Sequence, residues 1–93
     1  MRTIEWTGQF KRDDKREAKG RHRTTLDGDL FGIIDVLASD SPLPPSRRDH
    51  PLTGDWKDHR DCHVRPDLVL IYRRVGDDVL QLVRFGSHSE LGL

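Results

Sequence analysis

Cysteine is almost missing from this 93-residue chain: Cys62 stands alone. No internal disulfide can form from one thiol, so a reducing compartment is the default. Long hydrophobic runs are missing too. The longest covers residues 68–72, LVLIY, far short of the ~18 residues of a membrane span. The opening MRTIEWTGQFKRDDK has no apolar core of the signal-peptide kind, so a cytoplasmic protein without a membrane partner is expected. Net charge is absent, because sixteen Lys and Arg balance sixteen Asp and Glu. That balance argues against generic, charge-driven nucleic-acid binding and against the high net charge of a disordered chain. Hydrophobic residues make up 33% against 34% charged, enough for one modest core burying about 60–65% of the unfolded surface. The expected organisation is one domain over residues 1–93, without internal repeats.

What charge there is lies unevenly. Residues 9–23 carry seven basic side chains (Lys11, Arg12, Lys15, Arg16, Lys19, Arg21, Arg23) against Asp13, Asp14 and Glu17, a local +4. Residues 24–40 carry Asp27, Asp29, Asp35 and Asp40 and no Lys or Arg, a local −4. A basic segment is either a solvated helix face or a footprint for an acidic partner.

Periodicity gives the elements. Ile4 and Trp6 alternate with Thr3 and Glu5, a short strand over residues 2–7. Thr7 can cap a helix over residues 9–19, and Gly20 sits where that helix would stop. With only Phe10 and Ala18 as its apolar stripe, this helix should lie on the surface, held by few contacts. A second helix is clearer. Thr24 or Thr25 can cap it, and Leu26, Leu30, Ile33, Ile34 and Leu37 share one face. Pro42, Pro44 and Pro45 end it. From Trp56 the period changes to two: Lys57, His59, Asp61, His63 and Arg65 fall on one side, and Trp56, Asp58, Arg60, Cys62 and Val64 on the other. Residues 67–74 and 79–85 read as two more strands joined by the turn Gly76-Asp77-Asp78. The order β-α-α-β-β-β predicts an α+β sandwich, two helices on one face of a small antiparallel sheet, with the other face left for solvent or ligand.

Four of the five histidines lie in the second half: His50, His59, His63 and His88, in company with Asp67 and Arg84. Each has an ordinary explanation in a turn or on a solvated strand face. As a set they are unusual for strand surfaces that bind nothing. His59, Cys62, His63 and His88 include possible zinc ligands, but Cys62 and His63 are strand neighbours that face opposite ways, and no second ligand pair lies at finger-like spacing. Cys62 is expected to be a buried thiol rather than a nucleophile.

The segment HPLTGDWKDHRDCHVRPDLVLIY (residues 50–72) and the ending LVRFGSHSEL (residues 82–91) together closely resemble YafQ-type toxins of the RelE/ParE superfamily, the toxin halves of bacterial type II toxin–antitoxin pairs. FKRDDK, residues 10–15, is similar as well. The likeness covers nearly the whole chain, and HPL-x-G-x-W-K-x-x-R-D-x-H-V-x-P-D is a long, specific pattern. It implies a RelE-like fold of helices against a twisted antiparallel sheet, with a short C-terminal turn or helix. It implies endonucleolytic cleavage of messenger RNA in the ribosomal A site, without a cofactor, by a cytoplasmic toxin. It implies an antitoxin partner with an acidic C-terminal arm, for which residues 11–23 offer a basic docking face. Lys11, Arg12, Lys15, Arg16, Lys57 and Arg65 become candidates for RNA or ribosome contact.

The family's functional positions fall on His50, His63, Asp67, Arg84 and His88. Metal-free RNA cleavage uses the 2′-hydroxyl as nucleophile and needs a base, an acid and positive charge for the phosphorane. Imidazoles serve as base or acid near neutral pH, and a guanidinium binds phosphoryl oxygens. His50 is the expected base, assisted by Asp67; His88 is the expected acid, with His63 second; Arg84 is the charge stabiliser. Relatives often carry an aromatic residue after the final Leu, where this chain has Gly92, leaving His88 or Trp56 to supply a ring. The competing expectation is a binding protein of the same superfamily, aimed at gyrase or only at its antitoxin, without nuclease activity.

Overall fold

Five successive apolar residues, Leu68, Val69, Leu70, Ile71 and Tyr72, are each exposed by 1% or less. Strand side chains alternate between faces, so such a run demands cover on both sides of its sheet. The structure, a computed structural model that describes residues 1–19 and 26–93, meets that demand with two unequal layers. The sheet contains β1 (Thr3–Trp6), β2 (His50–Pro51), β3 (Arg60–Arg65), β4 (Leu68–Val75) and β5 (Val79–Gly86), in the order β1-β5-β4-β3-β2. The helices are α1 (Gly8–Ala18), α2 (Leu26–Ala38) and the short α3 (His88–Leu91), with 3-10 turns at Pro45–Arg47 and Gly54–Trp56. No helix among the described residues is long and apolar enough to cross a membrane.

The α+β architecture follows the sequence, with corrections. The sheet is mixed: β2, β3, β4 and β5 pair antiparallel, but β1 pairs parallel with β5, Thr3 opposite Val79 and Trp6 opposite Leu82. A period of two reports which face a residue takes and is silent on strand direction. Parallel pairing needs a long crossover, and the chain between β1 and β5 supplies one. The alternation that begins at Trp56 also overstates β3. Trp56 belongs to a 3-10 turn, and pairing with β4 starts at Arg60. The expected caps at Thr24 or Thr25 and the stop at Gly20 lie outside the described residues.

The larger layer holds Leu30, Ile33, Ile34, Leu37 and Ala38 of α2 and Phe10 of α1 against Cys62, Val64, Leu68, Leu70, Tyr72, Leu80, Leu82 and Phe85. On the opposite face Val69 and Ile71 are covered by Leu91 of α3, with Leu52, Trp56 and Val83 around them. That face is therefore not simply left to solvent. α3 begins at a capping box, in which the Ser87 hydroxyl accepts from Glu90 N–H and the Glu90 carboxylate accepts from Ser87 N–H. Gly86 gives it room, since a Cβ there would lie 2.7 Å from the Arg16 guanidinium and 3.6 Å from Leu91.

α1 is thin in apolar contacts, as expected, yet firmly seated. Thr7 caps it by accepting from Phe10 N–H, and Phe10 is fully buried between Trp6 and Phe85, ring centroids 5.5 and 5.8 Å away. The rest is polar. β1 ends opposite Leu82, which leaves the rim of β5 beyond it without a strand partner. Side chains from the N-cap, middle and last turn of α1 fill that gap: Thr7 Oγ1 donates to Val83 O at 3.0 Å, Asp13 Oδ2 accepts from Phe85 N–H at 3.0 Å, and an Arg16 nitrogen donates to Phe85 O at 3.0 Å. Unpaired strand groups cost free energy when buried, so α1 substitutes for a missing strand. Asp13, only 3% exposed, also accepts from Arg84 Nε at 2.7 Å. Asp13→Ala strands a backbone N–H and a half-buried guanidinium together. It should lower unfolding free energy by about 2–4 kcal/mol in urea titrations, whereas a loss near zero would show that the rim needs no partner.

Candidate active site

β3 carries the site because its two faces differ in chemistry. Cys62 and Val64 enter the main core, while Asp61 and His63, opposite Ile71 and Val69, face the smaller cluster. β2 adds His50, opposite Asp61. α3, seated by Leu91, adds His88, whose ring lies 5.0 Å from that of His63, tilted by 52°. His50, Asp61 and His88 line one open hollow of about 450 Å³ together with Leu52, Thr53, Asp55, Trp56, Gly92 and Leu93. Thus His50, His63 and His88, far apart in sequence, come together.

Proton positions follow from the partners. His50 Nδ1 lies 2.7 Å from Arg48 O and 3.0 Å from Asp61 Oδ1. Both partners offer lone pairs, and a carbonyl has no proton to give, so Nδ1 carries the hydrogen and Nε2 is the ring nitrogen left to act as acceptor. His63 Nδ1 lies 3.2 Å from Pro66 O, which fixes the same tautomer. The chain immediately before His50 is pinned as well. The Asp49 carboxylate accepts from the Tyr72 hydroxyl and from Arg60 Nε.

Asp61 was not singled out from the sequence, although strand alternation had placed it on the face of His63. It is 2% exposed, and its Oδ1 accepts no hydrogen bond among the described residues, despite its ion-pair distance to His50. Burial pushes its carboxyl above the ordinary carboxylate range, against the pull of His50, His63 and His88. It is a buried carboxyl group beneath three imidazoles. Asp67, the carboxylate the sequence pointed to, lies in the two-residue turn between β3 and β4, next to Pro66. The carboxylate beside His50 is therefore Asp61.

Arg84 sits opposite Ile71 on the same sheet face, at a bulge that leaves Val83 as an extra residue between Leu82 and Arg84. Its Nε bond to Asp13 holds the guanidinium charged and leaves 23% of the side chain exposed. Arg16 is occupied by Phe85 O, Asp13 and Glu90, a structural duty rather than a free basic contact. Lys11, Arg12 and Lys15 are exposed on α1, Lys57 is exposed beyond Trp56, and Arg65 pairs with Asp29. The four residues weighed as zinc ligands do not converge: Cys62 is in the core while His59 meets Trp56 edge to face. Burial pushes the Cys62 thiol up to about 12, which makes it inert near neutral pH. Gly92 ends α3 at φ 72°, ψ 29°, a left-handed position that glycine takes at least cost.

A mixed sheet with a histidine-rim hollow over a buried carboxylate defines a small α+β protein with imidazoles gathered above one buried carboxyl group. Its family is shown by comparison. Residues 2–92 match the family described as bacterial toxin of type II toxin–antitoxin system, YafQ, and the chain belongs to it. It is 41% identical over 92 residues to the mRNA interferase toxin YafQ of Escherichia coli K12, covering 98% of this chain and 96% of that protein. Among solved structures, a copper-bound mutant toxin from Helicobacter pylori superposes with a TM-score of 0.87 at 38% identity, covering 98% of this chain and 99% of that one. The YafQ of an E. coli DinJ–YafQ complex superposes with a TM-score of 0.81 at 40% identity, covering 98% of each chain.

The raised carboxyl of Asp61 makes a signed prediction. Ionising it costs the folded state, so the cost is absent below its unfolded value near pH ~4, grows as pH rises through the raised folded value, and is constant above. Asp61→Asn should raise the melting temperature more at neutral pH than in acid. An equal gain at both ends, in calorimetry across that range, would assign the effect to packing instead.

Proposed function

We propose that this chain is a ribosome-dependent endoribonuclease that cleaves messenger RNA, the toxin of a type II pair held in check by an antitoxin. The observation that carries the reading is the convergence of three imidazoles on the buried Asp61: His50 and His63 with Nδ1 facing main-chain carbonyls, and His88 beside His63. The E. coli relative is named an mRNA interferase, and another E. coli YafQ is seen bound to DinJ.

Each group has a task. His50 Nε2 takes the proton of the 2′-hydroxyl as that oxygen attacks the adjacent phosphorus. The imidazolium that forms is stabilised by Asp61. His88 donates a proton to the 5′-oxygen as the phosphorus–oxygen bond breaks, leaving a 2′,3′-cyclic phosphate and a 5′-hydroxyl. His63 sits next to His88 and can share that proton, with Asp67 on its turn side. Arg84, anchored through Asp13, adds positive charge for the phosphorane. Trp56, lining the hollow, offers a ring for a base where Gly92 cannot. The exposed Lys11, Arg12 and Lys15 give an acidic antitoxin arm a place to dock. The protein is cytoplasmic, a single toxin domain over residues 1–93.

His50→Ala and His88→Ala should each reduce cleavage of messenger on programmed ribosomes by about 10²–10⁴-fold without lowering the melting temperature by more than a few degrees. Messages left whole by the unaltered chain would sink the reading, and growth arrest with DNA damage would favour gyrase as target.

A further inference from the structure

A second hollow adjoins the first. It has a volume of about 520 Å³ and is lined by Ser46, Arg47, Arg48, His63, Val64, Arg65 and Pro66. Three arginines and a histidine line it, and among the described residues no carboxylate does. Two of the arginines are fixed: Arg47 donates to Val64 O at 2.8 Å, and Arg65 pairs with Asp29. The third, Arg48, is exposed and closes the 3-10 turn Pro45–Arg47 at φ 50°, ψ 43°. Residues other than glycine, Asn and Asp seldom take that left-handed conformation, and where they do the surroundings impose it. Here its carbonyl is the one that holds His50 Nδ1. One backbone unit thus sets both the tautomer of His50 and the direction of the Arg48 side chain. His63 lines this hollow, and its ring touches that of His88, which lines the other.

We infer that the arginine hollow is a second phosphate subsite for RNA, taking the phosphodiester next to the scissile one. This rests on the ribonuclease reading. Arg48 and the Ser46 hydroxyl make the contacts, while Arg47, held by the neutral Val64 carbonyl, supplies a fixed positive background. A strand crossing the His63–His88 pair enters the arginine hollow on one side and the Trp56 hollow on the other. An anion is favoured there by charge and donors alike.

The test uses the full chain on ribosomes programmed with a message that carries a single neutral methylphosphonate beside the scissile linkage. Arg48→Gly removes the guanidinium and suits the left-handed backbone, so folding is preserved; Arg48→Lys keeps the charge. Arg48→Gly should raise KM about tenfold with kcat nearly unchanged, and lower the salt slope of binding by about one. Arg48→Lys should recover part of this. The methylphosphonate should weaken the unaltered chain more than it weakens Arg48→Gly, since both changes remove the Arg48 contact and their penalties then fall short of additive. Full activity and an unchanged salt slope in Arg48→Gly, with cleavage otherwise intact, would overturn the subsite alone. So would penalties that simply add, or a variant impaired only in capture by its antitoxin, which would make the hollow an acidic-peptide site. An unaltered chain that never cuts the message would overturn the ribonuclease reading and the subsite with it.

Discussion

The double-sided burial of β4 is the constraint on which the rest depends. Leu68, Leu70 and Tyr72 are covered by α2 and Phe10, as any helix-on-sheet layer would arrange. Val69 and Ile71 face the other way and have only a few residues to cover them: Leu91, Leu52, Trp56 and Val83. Those cover residues come from the C-terminal turn, the loop around Trp56 and the bulge of β5. Each brings a candidate site residue as neighbour, His88 with Leu91, His50 with Leu52, and Arg84 with Val83. The hydrophobic effect that closes the smaller cluster is therefore the force that assembles the imidazoles around Asp61.

Within the hollow, electrostatics and main-chain geometry divide the work. A carboxylate buried to 2% exposure is costly without a counter-charge, and the nearest groups that could carry one are the imidazoles above it. On the proposed mechanism, a proton taken up by His50 would give that buried charge a partner, the pattern expected of sites that trade stability for function.

Much of this was legible in the chain. The α2 stripe at Leu30, Ile33, Ile34 and Leu37 and the strands on either side of Gly76 followed from periodicity alone. The histidines were flagged because strand faces rarely spend His and Arg together. What stayed hidden was set by tertiary geometry. The parallel β1–β5 pairing has no signature in alternation. Asp13 looked like one more charge on a basic helix, yet it closes the rim of β5. Asp61 was masked by the ordinariness of a carboxylate in a charged segment; its burial, not its identity, makes it special. Asp67 drew attention through the family pattern, but the register of β2 against β3 puts Asp61, not Asp67, under His50.

Both locked tautomers, at His50 and His63, are held by peptide carbonyls, those of Arg48 and Pro66. A carbonyl belongs to the chain whatever side chain is attached to it. Substitutions at positions 48 and 66 can therefore change the side chains on the perimeter of the cleft while the two carbonyls that orient the imidazoles stay in place. A scaffold of this kind separates what can vary, the lining of the cleft, from what the backbone itself preserves.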